Sequence, residues 1–171
     1  EVACIGGVIP DLTAIGTNIT WYDAPPGMGG GVAGSGASFA TGETLVGAYY
    51  YWVTETNTDG CEGNALGVTL EIFALPAVTA NANPTNICMG EFITLTGGGA
   101  SAYAWTDGTA AYTDGLAFTP VVGIGTYTVT GTDIFGCINT DIITVTVTAL
   151  PVAPTAANEV ACVGGVIPNL T

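Results

Sequence analysis

The side chains here that could do chemistry are five cysteines, fourteen carboxylates and a few aromatics; Lys, Arg and His are absent from all 171 positions. That absence removes whole classes of function. There is no histidine or lysine general base, no Schiff base and no His-containing metal site. A formal net charge of −14 repels nucleic acid and anionic lipid, and no cation is present to clamp a phosphate. No side-chain ion pair and no Lys–Asn isopeptide bond can form, so stability rests on packing, sheet hydrogen bonds and disulfides. Paired carboxylates can serve as acid and base on a glycoside, but nothing in the order of these acids singles out a pair in a cleft. A non-enzymatic role is expected.

The thiols say more. The segment Glu1–Thr13, EVACIGGVIPDLT, returns 158 residues later as Glu159–Thr171, EVACVGGVIPNLT, with Val163 for Ile5 and Asn169 for Asp11. A match this close reads as one period of an array and the start of the next. Cys162 is then the repeat of Cys4, and its partner is expected further along. The other four cysteines fall as one early and one late in each half, which predicts bridges Cys4–Cys61 and Cys88–Cys137 and an oxidising, extracellular or periplasmic compartment. Each bridge is expected to clamp one end of its own domain and to contribute up to about 4 kcal/mol by the chain-entropy model. A thiolate metal site needs four clustered cysteines or cysteines with His, which two isolated ones per half do not offer.

Tyr50 and Trp52 are the one stretch with binding character. If Tyr51 and Val53 face inward, Tyr50 and Trp52 face out, where the second half carries Thr126 and Thr128. Such a pair can stack on a sugar ring, touch a neighbouring domain or filament, or lie beneath a loop; all three readings stay open. Trp21 and Trp105 alternate with small polar residues in a middle strand, which assigns them to cores. Asn57, Asp59 and Glu62 around Cys61 form the best oxygen cluster, yet lack the dense spacing of a calcium loop. No cofactor is expected, and divalent cations only as loosely held counterions. The run 24–36, APPGMGGGVAGSG, has neither the following helix nor the Lys of a phosphate loop; it reads as a flexible edge loop too glycine-rich for regular strand pairing.

Short strands carry these residues. Tyr127 and Val129 alternate with Thr126, Thr128 and Thr130, and Ile143, Val145 and Val147 with Thr144, Thr146 and Thr148. A period of two with one wet face marks antiparallel sheet packed on one side. Ala-Leu-Pro recurs at Ala74–Pro76 and Ala149–Pro151 and marks stiff joints where a strand stops. Domains are therefore placed at 1–75 and 76–150, with 151–171 beginning the next repeat of the first. The halves align through Cys4 and Cys88, Trp21 and Trp105, Phe39 and Phe118, Tyr51 and Tyr127, and Cys61 and Cys137. The first domain is expected to lack its first strand, since the equivalent of Pro151–Asn158 would precede Glu1. About seven strands per domain, with a Trp in a middle strand and a Tyr early in the penultimate one, predict an all-β chain of tandem immunoglobulin-like β-sandwich domains; a barrel is the alternative. No apolar run reaches membrane-spanning length.

The phrases VACIGGVIPDLTAIGTNITWYD, ASFATGETLVGAYYYWVTETNTDGCEG, FITLTGGGASAYAWTDG and GTYTVTGTDIFGC resemble the Ig-like repeats of giant, SprB-like surface adhesins of gliding Bacteroidetes. The resemblance covers essentially the whole chain. It implies export by the type IX secretion system, display at the cell surface and a part in adhesion or gliding, and it brings no catalytic or ligand residue with it. The expectation is a structural repeat segment of an extracellular filament, a disulfide-stapled stalk. Its expected partners are neighbouring repeats of the same chain, with surface polysaccharide or like filaments as further candidates. The rival readings are a polysaccharide-binding module and a passive spacer in a secreted hydrolase.

Overall fold

The computed structural model describes residues 1–155; Cys162 and the returning segment Glu159–Thr171 lie outside the described residues. The described chain is all β, without a helix, so no helix is long and apolar enough to cross a membrane. Fifteen strands follow in order: β1 (Val2–Cys4), β2 (Leu12–Thr13), β3 (Ile19–Tyr22), β4 (Val32–Ser35), β5 (Ser38–Phe39), β6 (Gly47–Glu55), β7 (Leu66–Phe73), β8 (Thr79–Asn83), β9 (Asn86–Cys88), β10 (Ile93–Gly98), β11 (Ala102–Thr106), β12 (Ala111–Tyr112), β13 (Ala117–Phe118), β14 (Gly123–Thr132) and β15 (Ile138–Thr148).

The strands sort into two sandwiches of the same plan. In the first half a five-stranded sheet β1-β7-β6-β3-β4 faces the pair β2-β5; in the second, β12-β11-β14-β15-β9 faces β13-β10-β8. All neighbours are antiparallel except β1 with β7 and β9 with β15, which run parallel. Two facing sheets, with a short strand parallel to the last long strand at one edge, form the immunoglobulin-like arrangement. The barrel alternative is thereby set aside: the sheets do not close on themselves.

The alternating pattern decides which side chains go inside. Tyr127, Val129, Val145 and Val147 are buried with Val78, Ile87, Ile93, Leu95 and Trp105 in one cluster. Leu12, Ile19, Trp21, Tyr51, Val53, Leu70 and Ile72 form a second, separate cluster. Trp21 and Trp105 are core residues, at 0% and 2% exposure. Each buried indole N–H has a partner, as burial demands: Trp21 donates to the Gly36 carbonyl at 2.9 Å and Trp105 to Asp114 Oδ1 at 2.8 Å.

The glycine-rich run is more ordered than its composition suggests. Val32–Ser35 pairs antiparallel with β3, with an irregularity between Trp21 and Tyr22. Only its first part is a loop, closed by Asp23 Oδ1 accepting the Gly31 amide at 2.7 Å. Cross-strand hydrogen bonds to β3 offset the entropy cost of the glycines.

Candidate functional site

The joint between the halves carries the one disulfide seen among the described residues, and it joins Cys4 to Cys137 across a sequence separation of 133. The expected pairs Cys4–Cys61 and Cys88–Cys137 do not form; Cys61 and Cys88 are exposed free thiols. Strand direction explains the correction. Because β1 runs parallel to β7, Cys4 pairs with Phe73 at the end of that strand. Cys61 lies before β7 begins. The eight residues of β7 hold the two ends about 25 Å apart at the usual rise, far beyond the reach of a disulfide. The same geometry separates Cys88, beside Thr148 at the end of β15, from Cys137 before its start.

Three further contacts lock this joint. Phe73 stacks on Phe135 with ring centroids 3.8 Å apart. Asn139 Nδ2 donates to the Pro76 carbonyl at 2.9 Å. Pro76 and Val78 are buried, and the chain at Ala77 passes so close to Gly99 that a Cβ there would lie 1.9 Å from the Ala77 oxygen. Gly99 also has φ +81°, which side chains with a Cβ avoid. The linker is thus a seated segment, held from both sides. No pattern in the sequence pointed to Phe73 and Phe135. The only available signal was that their counterparts in the other half, Thr148 and Asp59, are polar.

An open groove of about 360 Å³ on the first half is lined by Thr13, Ala14, Ile15, Ile19, Leu66 and Val68, with Asn64 at its edge. In the second half the linker fills the corresponding place. Val78 lies against Gly131, Ala80 N–H donates to Asp141 Oδ2 at 2.7 Å, and Asn139 holds Pro76. β8 then completes the small sheet by pairing with β10. Register matches Val68 with Tyr51 and Ile143 with Tyr127, so Asn64 stands where Asn139 stands and Leu66 where Asp141 stands. The groove corresponds in position to the linker seat of the second half.

The outer face of the large first sheet carries the aromatic pair. Tyr50 is 60% exposed. Trp52 is half-buried: it sits between Tyr22 and Gly67 in the sheet, and its Nε1 would lie 3.6 Å from a Cβ on Gly67. Beside it, Glu62 accepts the Tyr22 hydroxyl at 2.5 Å and the Thr54 hydroxyl at 2.6 Å. These two bonds, Thr54 first, hold the Glu62 carboxyl below its ordinary range, and the Glu62 bond raises Tyr22. The other members of the oxygen cluster are engaged locally. Asn57 Oδ1 accepts the amides of Asp59 at 3.1 Å and Cys61 at 2.8 Å. Among the described residues no three acidic or cysteine side chains gather as a metal site would require, and no buried side-chain polar atom lacks a partner.

No family model matches the chain, and no curated protein matches it. Among solved structures it is similar to the fibronectin(III)-like modules of Clostridium thermocellum CbhA, at 19% identity and a TM-score of 0.45, covering 93% of this chain and 95% of that one. It is also similar to the amphioxus IgVJ-C2 molecule, at 17% identity and a TM-score of 0.35, covering 81% and 94%. The N-terminal four Ig domains of Dscam1 match at 12% identity and a TM-score of 0.31, covering 87% of this chain and 43% of that one.

Proposed function

We propose that this chain is a repeat segment of an extracellular filament on a cell surface, a stiff stalk that carries an adhesive tip and does no catalysis. In this reading each period holds two domains, at 1–75 and 76–150, and 151–171 opens the next. The observation that carries the reading is the Cys4–Cys137 bridge. It lies between sandwiches, where a stalk bends, rather than inside one, where it would serve local stability alone. The Phe73–Phe135 stack and the seated linker support the same joint. The bridge also fits an oxidising compartment, and the chain gives trypsin no Lys or Arg to cut.

Electron microscopy of the secreted protein tests this. Thin unbranched filaments are expected, with a repeat of roughly 75 Å from two sandwiches with strands of about ten residues. Secreted material without filaments would overturn the proposal.

A second reading is favoured by one observation: Tyr50 stands open near Trp52 on the outer face of the sheet. Here the repeats bind polysaccharide through stacked sugar rings, each weakly and many together. Retention of the chain on a polysaccharide column, lost on Trp52→Ala, would support it; unretained wild-type chain would leave the stalk alone.

A further inference from the structure

Two cysteines are unpaired among the described residues, Cys61 and Cys88, and both are exposed. Each sits in a setting that copies a bonded one. Cys88 ends β9 opposite Thr148, the last residue of β15, as Cys4 ends β1 opposite Phe73, the last residue of β7. The amide after each cysteine donates to the facing carbonyl: Met89 to Thr148 at 2.9 Å, Ile5 to Phe73 at 2.8 Å. Cys61 closes the turn after β6 as Cys137 closes the turn after β14. Asn57 Oδ1 takes the Cys61 amide at 2.8 Å, and Asp133 Oδ1 takes the Cys137 amide at 2.9 Å. The amides of Asn57 and Asp133 each donate to the carbonyl of their own turn's cysteine at 3.0 Å.

Each half therefore has one cysteine at the end of its last strand and one in the turn before that strand. The first kind, Cys4, is bonded to the second kind, Cys137, of the half that follows. We infer that this is the rule at every joint: Cys88 bonds the counterpart of Cys61 one period on, and Cys61 bonds the counterpart of Cys88 in the half before. The inference rests on the array reading above and names the partner of its two free thiols. Each bond forms by exchange with a protein or small-molecule disulfide. Two thiols lose two protons and two electrons, and the carrier disulfide is reduced to two thiols. The aromatic stack does not recur at these joints, where Thr148 and Asp59 replace Phe73 and Phe135. The disulfide is the feature both kinds of joint would share.

The consequence is mechanical. A covalent route would run from Cys61 along β7, the linker, β8 and β9 to Cys88, and through a disulfide into the next period. That route is about 27 residues, about 95 Å at full extension, close to the roughly 75 Å of the folded period. An array so linked could lose its fold and gain only about a quarter in length.

Disulfide mapping of the secreted protein decides the matter. The protein is alkylated while native, then cut after Asp and Glu, since Lys and Arg are absent. Peptide 60–62 linked to peptide 72–91 is expected, with neither Cys61 nor Cys88 alkylated. The 171-residue chain by itself should instead alkylate at both positions and keep Cys4–Cys137. A Cys88→Ser array should expose Cys61 as a reactive thiol without disturbing Cys4–Cys137. Alkylated Cys61 or Cys88 in an intact wild-type array would overturn the inference and leave the array reading standing. So would a Cys61–Cys88 link within the single 171-residue chain. A secreted protein in which the period does not recur would remove both.

Discussion

The two halves of this molecule have one plan and differ by one strand. The second half has β8, whose approach from Pro76 to Ala80 plugs the side of the sandwich; the first has an open groove in the same place. Position by position the difference is small. Glu55 stands in the first half where Gly131 stands in the second, and Glu55 turns aside to accept the Thr17 amide and hydroxyl at 2.9 and 3.2 Å. Gly131 leaves space that the Val78 methyls take, 2.6 Å from where its Cβ would be. A sandwich of this size is marginal by surface-to-volume scaling, so one strand and one buried valine matter. The comparison teaches that the linker is part of the sandwich it enters.

The largest test strikes the two cores alike. Trp21→Ala and Trp105→Ala should each cost about 3–5 kcal/mol. The first half, already short of a strand, should lose its near-ultraviolet circular dichroism outright, while the second keeps a cooperative, lowered transition. Equal behaviour of the two variants would break the comparison.

Next comes repair. Placing the sequence of residues 150–158 ahead of Glu1 should fill the groove, as Pro76–Ala82 fill the second half. Burying one valine and its neighbours should stabilise the first half by about 2–3 kcal/mol. Urea denaturation followed by hydrogen exchange at Tyr51 and Val53 would measure it, and an unchanged midpoint would mean that the groove is not the linker seat.

A smaller effect comes from exchanging the residue that differs. Gly131→Glu puts the first half's residue into the second. It should push Val78 out and cost about 1–3 kcal/mol, the usual range for overpacking. The reverse change, Glu55→Gly, should leave the first half near its starting stability until a linker is supplied.

The smallest is acid titration. In the second half Asp107 accepts the Tyr112 hydroxyl at 2.6 Å and the Ala110 and Thr109 amides at 2.7 and 2.8 Å. These bonds, Tyr112 first, hold its carboxyl well below the ordinary value of 3.8. A depressed carboxylate stabilises the fold above its unfolded value, and the contribution is lost as pH falls through the folded one. The amides of Thr109 and Ala110 should therefore keep their native shifts at pH 3 in nuclear magnetic resonance spectra. Asp107→Asn should remove any acid titration of these amides at still lower pH and let Tyr112, which burial and Asp107 push up to about 12, ionise at lower pH than in the wild type.

Much of the fold was legible in the residues because burial in a sheet has a period of two. Tyr127, Val129, Val145 and Val147 go inside and their threonine neighbours do not, wherever the strands are placed. The open groove on the first half was not legible. A groove is a shape made by Ile19, Val53 and Leu66 from three strands, and no linear pattern records it. Tyr50 and Trp52 share the outer face, but only the fold shows that Trp52 lies over Gly67, where a glycine across the strand offers the indole a place to rest.

Composition, the returning segment, the alternating strands and core positions such as Trp21, Trp105, Tyr127 and Val129 can be read along the chain, because they depend on local alternation and on what cannot be present without Lys, Arg or His. Only the tertiary structure decided which cysteines meet. Spacing along the chain put Cys4 with Cys61, in one domain. Strand direction put Cys4 at the far end of β7 from Cys61, and the end-to-end contact of two sandwiches brought it to Cys137. A disulfide forms between atoms that the fold holds within reach, and reach is set by which way each strand runs.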